Sequence, residues 1–321
     1  MKILITGGAG FIGSHLCEKL LENGHEVTSI DNFSTGRASN LNNFLGHTGF
    51  KSVEGSILDT GTLRPLVQDS EYVFHLAAAV GVFNIVKNPL ASLLTNIRGT
   101  ENVLEIAHEA NRPVFLTSSS EVYGKNISDS LKETDDRILG SPTTLRWSYS
   151  EAKAIDESLA YAYFIEKQLE TRIVRFFNTV GPRQVGAYGM VVPRFVKAAL
   201  NNEPLTIYGD GNQTRCFAHV KDVIDAVIAL AFAENSVGKV INIGNDFEIS
   251  INDLAKKIIS ETGSASEIIY VPYTEAYGQG FEDMERRVPN IDLINQLVGW
   301  NPQRNLSTII SDISADMKKL S

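Results

Sequence analysis

The sequence predicts an α/β protein: a doubly wound parallel sheet with a smaller C-terminal α/β domain. Two observations carry this. Short apolar runs alternate with helical stretches as far as Asn178, and the first run passes through a glycine turn straight into a helix. After Asn178 the elements become shorter and loops more frequent.

Lys2-Ile3-Leu4-Ile5 reads as a buried strand, and Thr6-Gly7-Gly8-Ala9-Gly10-Phe11-Ile12-Gly13 as the turn after it. Ile12, Leu16 and Leu20 recur at helical spacing, and Gly24 suits the helix end. Glu26–Ile30 is a second strand, with Asp31 at its C-terminal end. Strand, glycine turn and helix make a dinucleotide fingerprint of the Rossmann type. Small residues let the backbone approach a pyrophosphate, and the helix N-terminus offers that anion free N–H groups. A carboxylate about 20 residues further on accepts ribose hydroxyls and repels a 2′-phosphate, so the expected cofactor is NAD. The loop after Asp31, with Asn32 and Ser34, is placed to cover the adenine end.

Strands follow at Lys51–Glu54, with Gly55-Ser56-Ile57 as its turn, and at Tyr72–Leu76, ending in Ala77-Ala78-Ala79. His75 in that strand reads as a hydrogen-bonded core histidine. A helix runs from Asn88-Pro89 to about Glu109, and a fifth strand at Val114–Thr117 enters Ser118-Ser119-Ser120-Glu121. A further helix opens near Trp147, and Arg172–Phe177 is the sixth strand. Beyond it lie loops at Gly181-Pro182-Arg183 and Gly186–Gly189, and a helix at Val191–Leu200. A strand at Leu205–Tyr208 and a helix at Asp222–Ala233 come next, and Val240–Ile243 returns to the large sheet. The last 75 residues hold a helix from Ile251 and a loop at Tyr277–Gly280. The expected division is a cofactor domain over 1–178, with a crossing back near 218–245, and a sugar-binding domain over most of 179–321.

Composition narrows the function. The 321 residues are 43% hydrophobic and 21% charged, with net charge −9 and no basic run, which disfavours nucleic acid. No apolar run approaches the roughly 18 residues of a membrane span. The six histidines are scattered, so no metal site is expected. Two cysteines, Cys17 and Cys216, imply no disulfide framework, and Cys17 reads as a core residue. With a strand from residue 2 no leader is expected, and the compartment is taken as the reducing cytoplasm.

Tyr149 and Lys153 are four apart on one helix face. A phenol titrates near 10, and a neighbouring ammonium together with a cationic nicotinamide brings it toward neutrality. Tyr149 can then take a proton from a substrate hydroxyl as hydride leaves, with Ser119 holding the oxygen.

These residues identify a resemblance. The chain resembles the extended short-chain dehydrogenases/reductases of the nucleotide-sugar epimerase/dehydratase group. The likeness rests on Gly7–Gly13, Tyr149/Lys153, Arg175-Phe176-Phe177-Asn178, Gly181-Pro182-Arg183 and Tyr208-Gly209-Asp210-Gly211 through Arg215. It implies bound NAD, a nucleoside-diphosphate sugar and a homodimer paired through the Tyr149 helix and its neighbour. It implies NAD contacts at Gly7, Gly10, Phe11, Ile12, Gly13, Asp31, Asn32, Ser34, Ser56, Ile57, Leu76, Ala77, Ala78, Asn96, Thr117, Tyr149 and Lys153. Substrate contacts are implied at Ser119, Tyr149, Asn178, Val191, Tyr208, Arg215 and Arg287, with Asn178 and Arg215 on the diphosphate side. Ser56 departs from the group, whose members often carry an aspartate there for the adenine amine.

The branch is read from Ser119-Ser120-Glu121. A 4,6-dehydratase has an aspartate–glutamate pair at the last two positions; here the aspartate is replaced by Ser120. Ser119–Gly124, Arg146–Tyr149, Tyr277–Asp283 and Glu285–Pro289 are similar to UDP-glucuronate decarboxylases. That branch oxidises C4, making a β-keto acid that loses CO₂, to give UDP-xylose or the 4-keto-pentose. Arg287 then grips the sugar carboxylate or the diphosphate, Glu121 acts as acid/base and Ser120 orients a water. A UDP-sugar 4-epimerase is the alternative, with a dehydratase or a non-catalytic NAD sensor behind it.

Overall fold

Seven parallel strands form the central sheet of the computed structural model, which describes residues 1–81, 85, 87–186, 190–277, 284 and 286–320. The chain begins with β1 (Lys2–Thr6), α1 (Phe11–Glu22), β2 (Glu26–Asp31), β3 (Phe50–Glu54), α2 (Thr60–Asp69) and β4 (Tyr72–His75). Helix α3 (Pro89–Glu109), β5 (Val114–Ser119), α4 (Ser148–Lys167) and β6 (Thr171–Phe176) follow. Then come β7 (Thr179–Val180), α5 (Val191–Leu200), β8 (Leu205–Tyr208), β9 (Thr214–Cys216), β10 (Ala218–His219), α6 (Val220–Ala231) and β11 (Val240–Ile243). The remainder is β12 (Glu248–Ser250), α7 (Ile251–Thr262), β13 (Ile268–Val271), α8 (Tyr273–Tyr277), α9 (Asp292–Val298) and α10 (Leu306–Leu320).

The sheet order is β11-β6-β5-β4-β1-β2-β3. β1 pairs with β2 on one side and β4 on the other, so the winding reverses there. That reversal opens a crevice beyond the strand ends, where doubly wound sheets take ligands. The buried runs of β1, β4 and β5 are apolar on both faces because helices cover both. Leu16, Leu20, Val223 and Val227 fill one side; Leu63, Val103, Leu104 and Ala107 fill the other. A separate core joins Phe195, Ile207, Leu254, Ile258, Ile309 and Ile310 from α5, β8, α7 and α10.

Helices α2, α9 and α10 and strand β13 were not expected from the sequence; β13 pairs in parallel with β8. Cys17 and Cys216 are buried and free. His75 is buried between Thr6 Oγ1 at 2.7 Å and Thr100 Oγ1 at 3.1 Å, as its place in an apolar strand suggested. No helix among the described residues is long and apolar enough to cross a membrane. Of the expected loops and motifs, Ala187-Tyr188-Gly189, Gly278–Asp283 and Glu285 lie outside the described residues.

One buried ion pair ties the sheet to α4. Glu157 accepts from Arg175 Nε at 2.9 Å and Nη2 at 2.7 Å, and from the Ser118 hydroxyl at 2.5 Å. Arg175 also donates to the Glu133 carbonyl and lies 4.7 Å from the centre of the Tyr123 ring. Tyr123 in turn donates to Asn242 on β11 at 2.8 Å. Removing one partner of such a pair strands a buried charge. Glu157→Ala is therefore expected to cost about 3–5 kcal/mol in urea unfolding at neutral pH; a cost below about 1 kcal/mol contradicts that account.

Candidate active site

The glycine turn is built by close approach. Gly7 has φ +76°, and a Cβ there would sit 2.8 Å from Ala77 N; one on Gly13 would sit 2.1 Å from Gly7 O. Larger residues would push the turn away from β4 and from α1. Asp31 reaches back to this turn, accepting from Ala9 N at 2.9 Å and Phe33 N at 2.8 Å. Burial raises its pKa, and those N–H groups oppose the rise.

A cavity of about 920 Å³ runs from this turn along the sheet's carboxyl edge to Arg287. Gly7, Gly10, Phe11, Ile12, Gly13, Asp31, Asn32, Ser34, Ser56, Ile57, Leu76, Ala77, Ala78 and Thr117 line its first part. The cradle a Cβ would fill, with an acid at the end of β2, fits an NAD pyrophosphate and ribose. Asn96 does not line the cavity. Its buried amide accepts from Ala79 N at 2.7 Å and donates to Ala79 O at 3.2 Å, fixing the small-residue run from behind. At the far end the cavity meets Ser119, Ser120, Glu121, Tyr149, Lys153, Asn178, Val191, Tyr208, Arg215 and Arg287.

Helix α4 carries Tyr149 and Lys153 over the end of β5. Lys153 Nζ donates to the Thr117 carbonyl at 3.1 Å and pairs with Asp156 at 3.2 Å. The Ser119 hydroxyl lies against the Tyr149 phenol and lowers its pKa. Even so, the phenol titrates above its ordinary value. Burial raises it most, Glu121 and Asp156 add to that, and Lys153 offsets only part. The ammonium by itself therefore does not bring the phenol toward neutrality.

Glu121 sits between two guanidinium groups. Its Oε2 pairs with Arg146 Nη1 at 2.5 Å and its Oε1 with Arg287 Nη1 at 2.9 Å. Arg287 Nη1 also donates to the Ser120 hydroxyl at 3.1 Å. Burial pushes the Glu121 carboxyl up, but Arg146 and Arg287 outweigh it and hold the group at about 2. The acid/base role expected for Glu121 meets a physical obstacle here. So held, the group carries no proton at neutral pH and is a weak base. In this state it bridges the arginines.

In the sequence Arg146 stands out only as part of a motif, and nothing in its spacing ties it to Glu121. Arg194 was not singled out. Its guanidinium lies 4.4 Å from the centre of the Tyr208 ring and lines the cavity. Asn178 adopts φ +27° and donates to the Cys216 carbonyl at 2.9 Å; Arg215 donates to the Thr214 carbonyl at 2.8 Å. No cluster suited to a metal ion occurs among the described residues.

The sequence pattern of the NAD dependent epimerase/dehydratase family matches residues 3–244. The chain belongs to that family. Its cofactor is NAD, and its sheet is of the Rossmann type. A UDP-N-acetyl-α-D-glucosaminuronate decarboxylase from Bacillus cytotoxicus is 41% identical over 94% of this chain and 92% of the relative. UDP-glucuronic acid decarboxylase 1 of Xenopus tropicalis is 38% identical over 94% of this chain and 68% of the relative. Among solved structures, UDP-glucuronic acid 4-epimerase from Bacillus cereus, bound to UDP-glucuronic acid and NAD, superposes with TM-score 0.89. It is 31% identical, with both chains fully covered.

The paired Glu121 predicts an acid-side signature. Its pKa is depressed in the folded protein, from 4.5 to about 2, so it stabilises the fold above pH 4.5. That contribution disappears as pH falls toward 2. Glu121→Gln should be less stable than the natural protein at pH 7, with the gap closing between about pH 4.5 and 2. A gap in thermal midpoint that stays constant with pH contradicts the pairing.

Proposed function

We propose that the protein is an NAD-dependent UDP-glucuronate decarboxylase. The observation that carries this is the cluster of Arg287, Glu121, Arg146 and Ser120 at the far end of the cavity that also holds Tyr149. A planar guanidinium beside the oxidising pair suits a sugar that bears a carboxylate. The curated relatives at 41% and 38% identity, both decarboxylases of UDP-uronates, support the same reading.

In this reading residues 1–178, with the return near 218–245, hold the cofactor, and 179–321 mainly hold the sugar nucleotide. Gly7, Gly10 and Gly13 make room for the pyrophosphate, and Asp31 takes the ribose. NAD held there would supply the hydride acceptor for sugar C4, the hydride donor if the product is reduced, and a positive charge favouring the Tyr149 phenolate. Tyr149 takes the C4 hydroxyl proton while Ser119 holds the oxygen. The sugar is then a β-keto acid. Its C5–carboxylate bond breaks, the electron pair moves into a C4–C5 enolate, and CO₂ leaves. Tyr149 and Ser119 donate to the enolate oxygen. A sugar carboxylate on Arg287 competes with Glu121 for that cation and raises the pKa of Glu121. Glu121, so raised, takes a proton from solvent through a water oriented by Ser120 and gives it to C5 once CO₂ has left. Asn178 and Arg215 take the diphosphate.

The Bacillus cytotoxicus relative favours a second substrate, the N-acetylated uronate, within the same chemistry. The Bacillus cereus structure stands behind the 4-epimerase alternative, which shares the C4 oxidation. A cytoplasmic homodimer through α3 and α4 accompanies the proposal. Ile155, Tyr161 and Ile165 lie exposed along α4 in its support, and a monomer mass by light scattering would count against it.

Incubation with UDP-glucuronate should release CO₂, and Tyr149→Phe should lower turnover about 10²-fold or more. Interconversion of C4 epimers without CO₂ from either uronate overturns the assignment. Arg287→Lys should weaken UDP-glucuronate binding more than UDP-glucose binding, as read by calorimetry. Equal losses place Arg287 at the diphosphate.

A further inference from the structure

Asp156 takes no part in the chemistry above, yet it is fully buried one turn beyond Lys153. Its Oδ2 lies 3.2 Å from Lys153 Nζ. Its other oxygen, Oδ1, has no hydrogen bond of ordinary length among the described residues, although the Thr100 hydroxyl of α3 approaches the carboxylate. A buried carboxylate with half its acceptor capacity unmet is costly to keep. The lysine it faces is only 3% exposed, so neither charge is solvated by water.

Among the described residues, the surroundings of Lys153 supply no other free anion. On α4, Glu157 is committed to Arg175 and Ser118. At the end of β5, Glu121 is committed to Arg146 and Arg287, and Thr117 offers a neutral carbonyl. On β4, His75 is neutral, because burial and then Lys153 push its pKa down to about 3. Tyr149 is a neutral phenol until it gives up its proton. The cationic nicotinamide expected nearby would add repulsion.

We propose that Asp156 is the dedicated counterion of Lys153, a positioning residue that keeps the ammonium charged and aimed along α4 toward Tyr149. This rests on the reading of Tyr149 and Lys153 as the oxidising pair. The ion pair itself does not. Burial alone drives the Lys153 pKa down; Asp156, followed by Tyr149 and Glu157, turns the net shift upward. Asp156 also raises the phenol's pKa against Lys153, and burial raises the pKa of Asp156 itself while Lys153 opposes that rise. Its benefit is therefore the secured charge, with a modest damping of the field.

The sign of the linkage gives the test. In the natural protein the raised Lys153 pKa contributes stability that is present below about 10.5 and lost only at higher pH. In Asp156→Asn burial is opposed only by Glu157 and by Tyr149 once ionised, and the pKa of Lys153 is expected to fall below its unfolded value. The stranded ammonium then costs most near neutrality and less as pH rises. Thermal midpoints of the NAD-free protein should show Asp156→Asn well below the natural protein at pH 7, with the gap narrowing toward pH 10. Lys153→Met in the Asp156→Asn background should recover part of that loss, and it remains informative if Asp156→Asn alone does not fold. In kcat, the alkaline limb of Asp156→Asn should move down by at least one pH unit. A pH-independent stability gap, or a double variant no more stable than Asp156→Asn, overturns the counterion role. An unmoved alkaline limb overturns the claim that this charge serves Tyr149. Should Tyr149→Phe retain full turnover, the oxidising-pair reading fails, while the stability coupling still reports on Asp156.

Discussion

The contact between Glu157 and Arg175 is what the site's geometry depends on. It fixes α4 against β5 and β6 at the level where the strands end. From the same helix, Tyr149 and Lys153 reach over β5; from the same strand end come Ser119, Ser120 and Glu121. If α4 slid by a single turn, about 5 Å, the phenol would no longer meet Ser119. A bidentate, buried arginine–carboxylate pair resists that slide in a way apolar packing does not, because its geometry is directional.

Charge is organised at two scales around this contact. The carboxylates near the reaction centre are each paired with cations: Glu157 with Arg175, Asp156 with Lys153, Glu121 with Arg146 and Arg287. At the substrate end Glu121 lies between two guanidinium groups. The chain as a whole carries net charge −9, so attraction for a triply anionic UDP-uronate must come from inside the cavity.

Much of this was legible in the sequence. The glycine turn, Asp31 and the alternation of strands with helices announce themselves locally, because each depends on residues within one βαβ unit. Tyr149 and Lys153 are legible for the same reason, sharing one helix face. What stayed hidden depends on distance in the chain. Arg146 meets Glu121 across 25 residues, and Arg287 meets Ser120 across 167. Asn96 was expected in the cofactor site, but its amide turns to the backbone of Ala79, an orientation spacing does not encode. Helix α9 is short and sets Ile294 into the large-sheet core, while α10 is amphipathic and sets Ile309 and Ile310 into the second core, partners that only folding brings together. The charge state of Glu121 was the largest gap, since it is decided by two partners that converge only on folding.

Strand β11 lies at the edge of the large sheet beside β6, reached only after the chain has built α5, β8 and α6. The sheet is thus finished by a segment made late. A ribosome that has released only the residues up to Asn178 has exposed β6 as a bare edge, open to pairing with any neighbouring chain. Asn242, which locks Tyr123 and the Leu131 carbonyl, is missing from that intermediate as well. For this molecule the safe moment in synthesis comes after residue 243, and a nick between Asn178 and Val240 would leave two pieces that need each other.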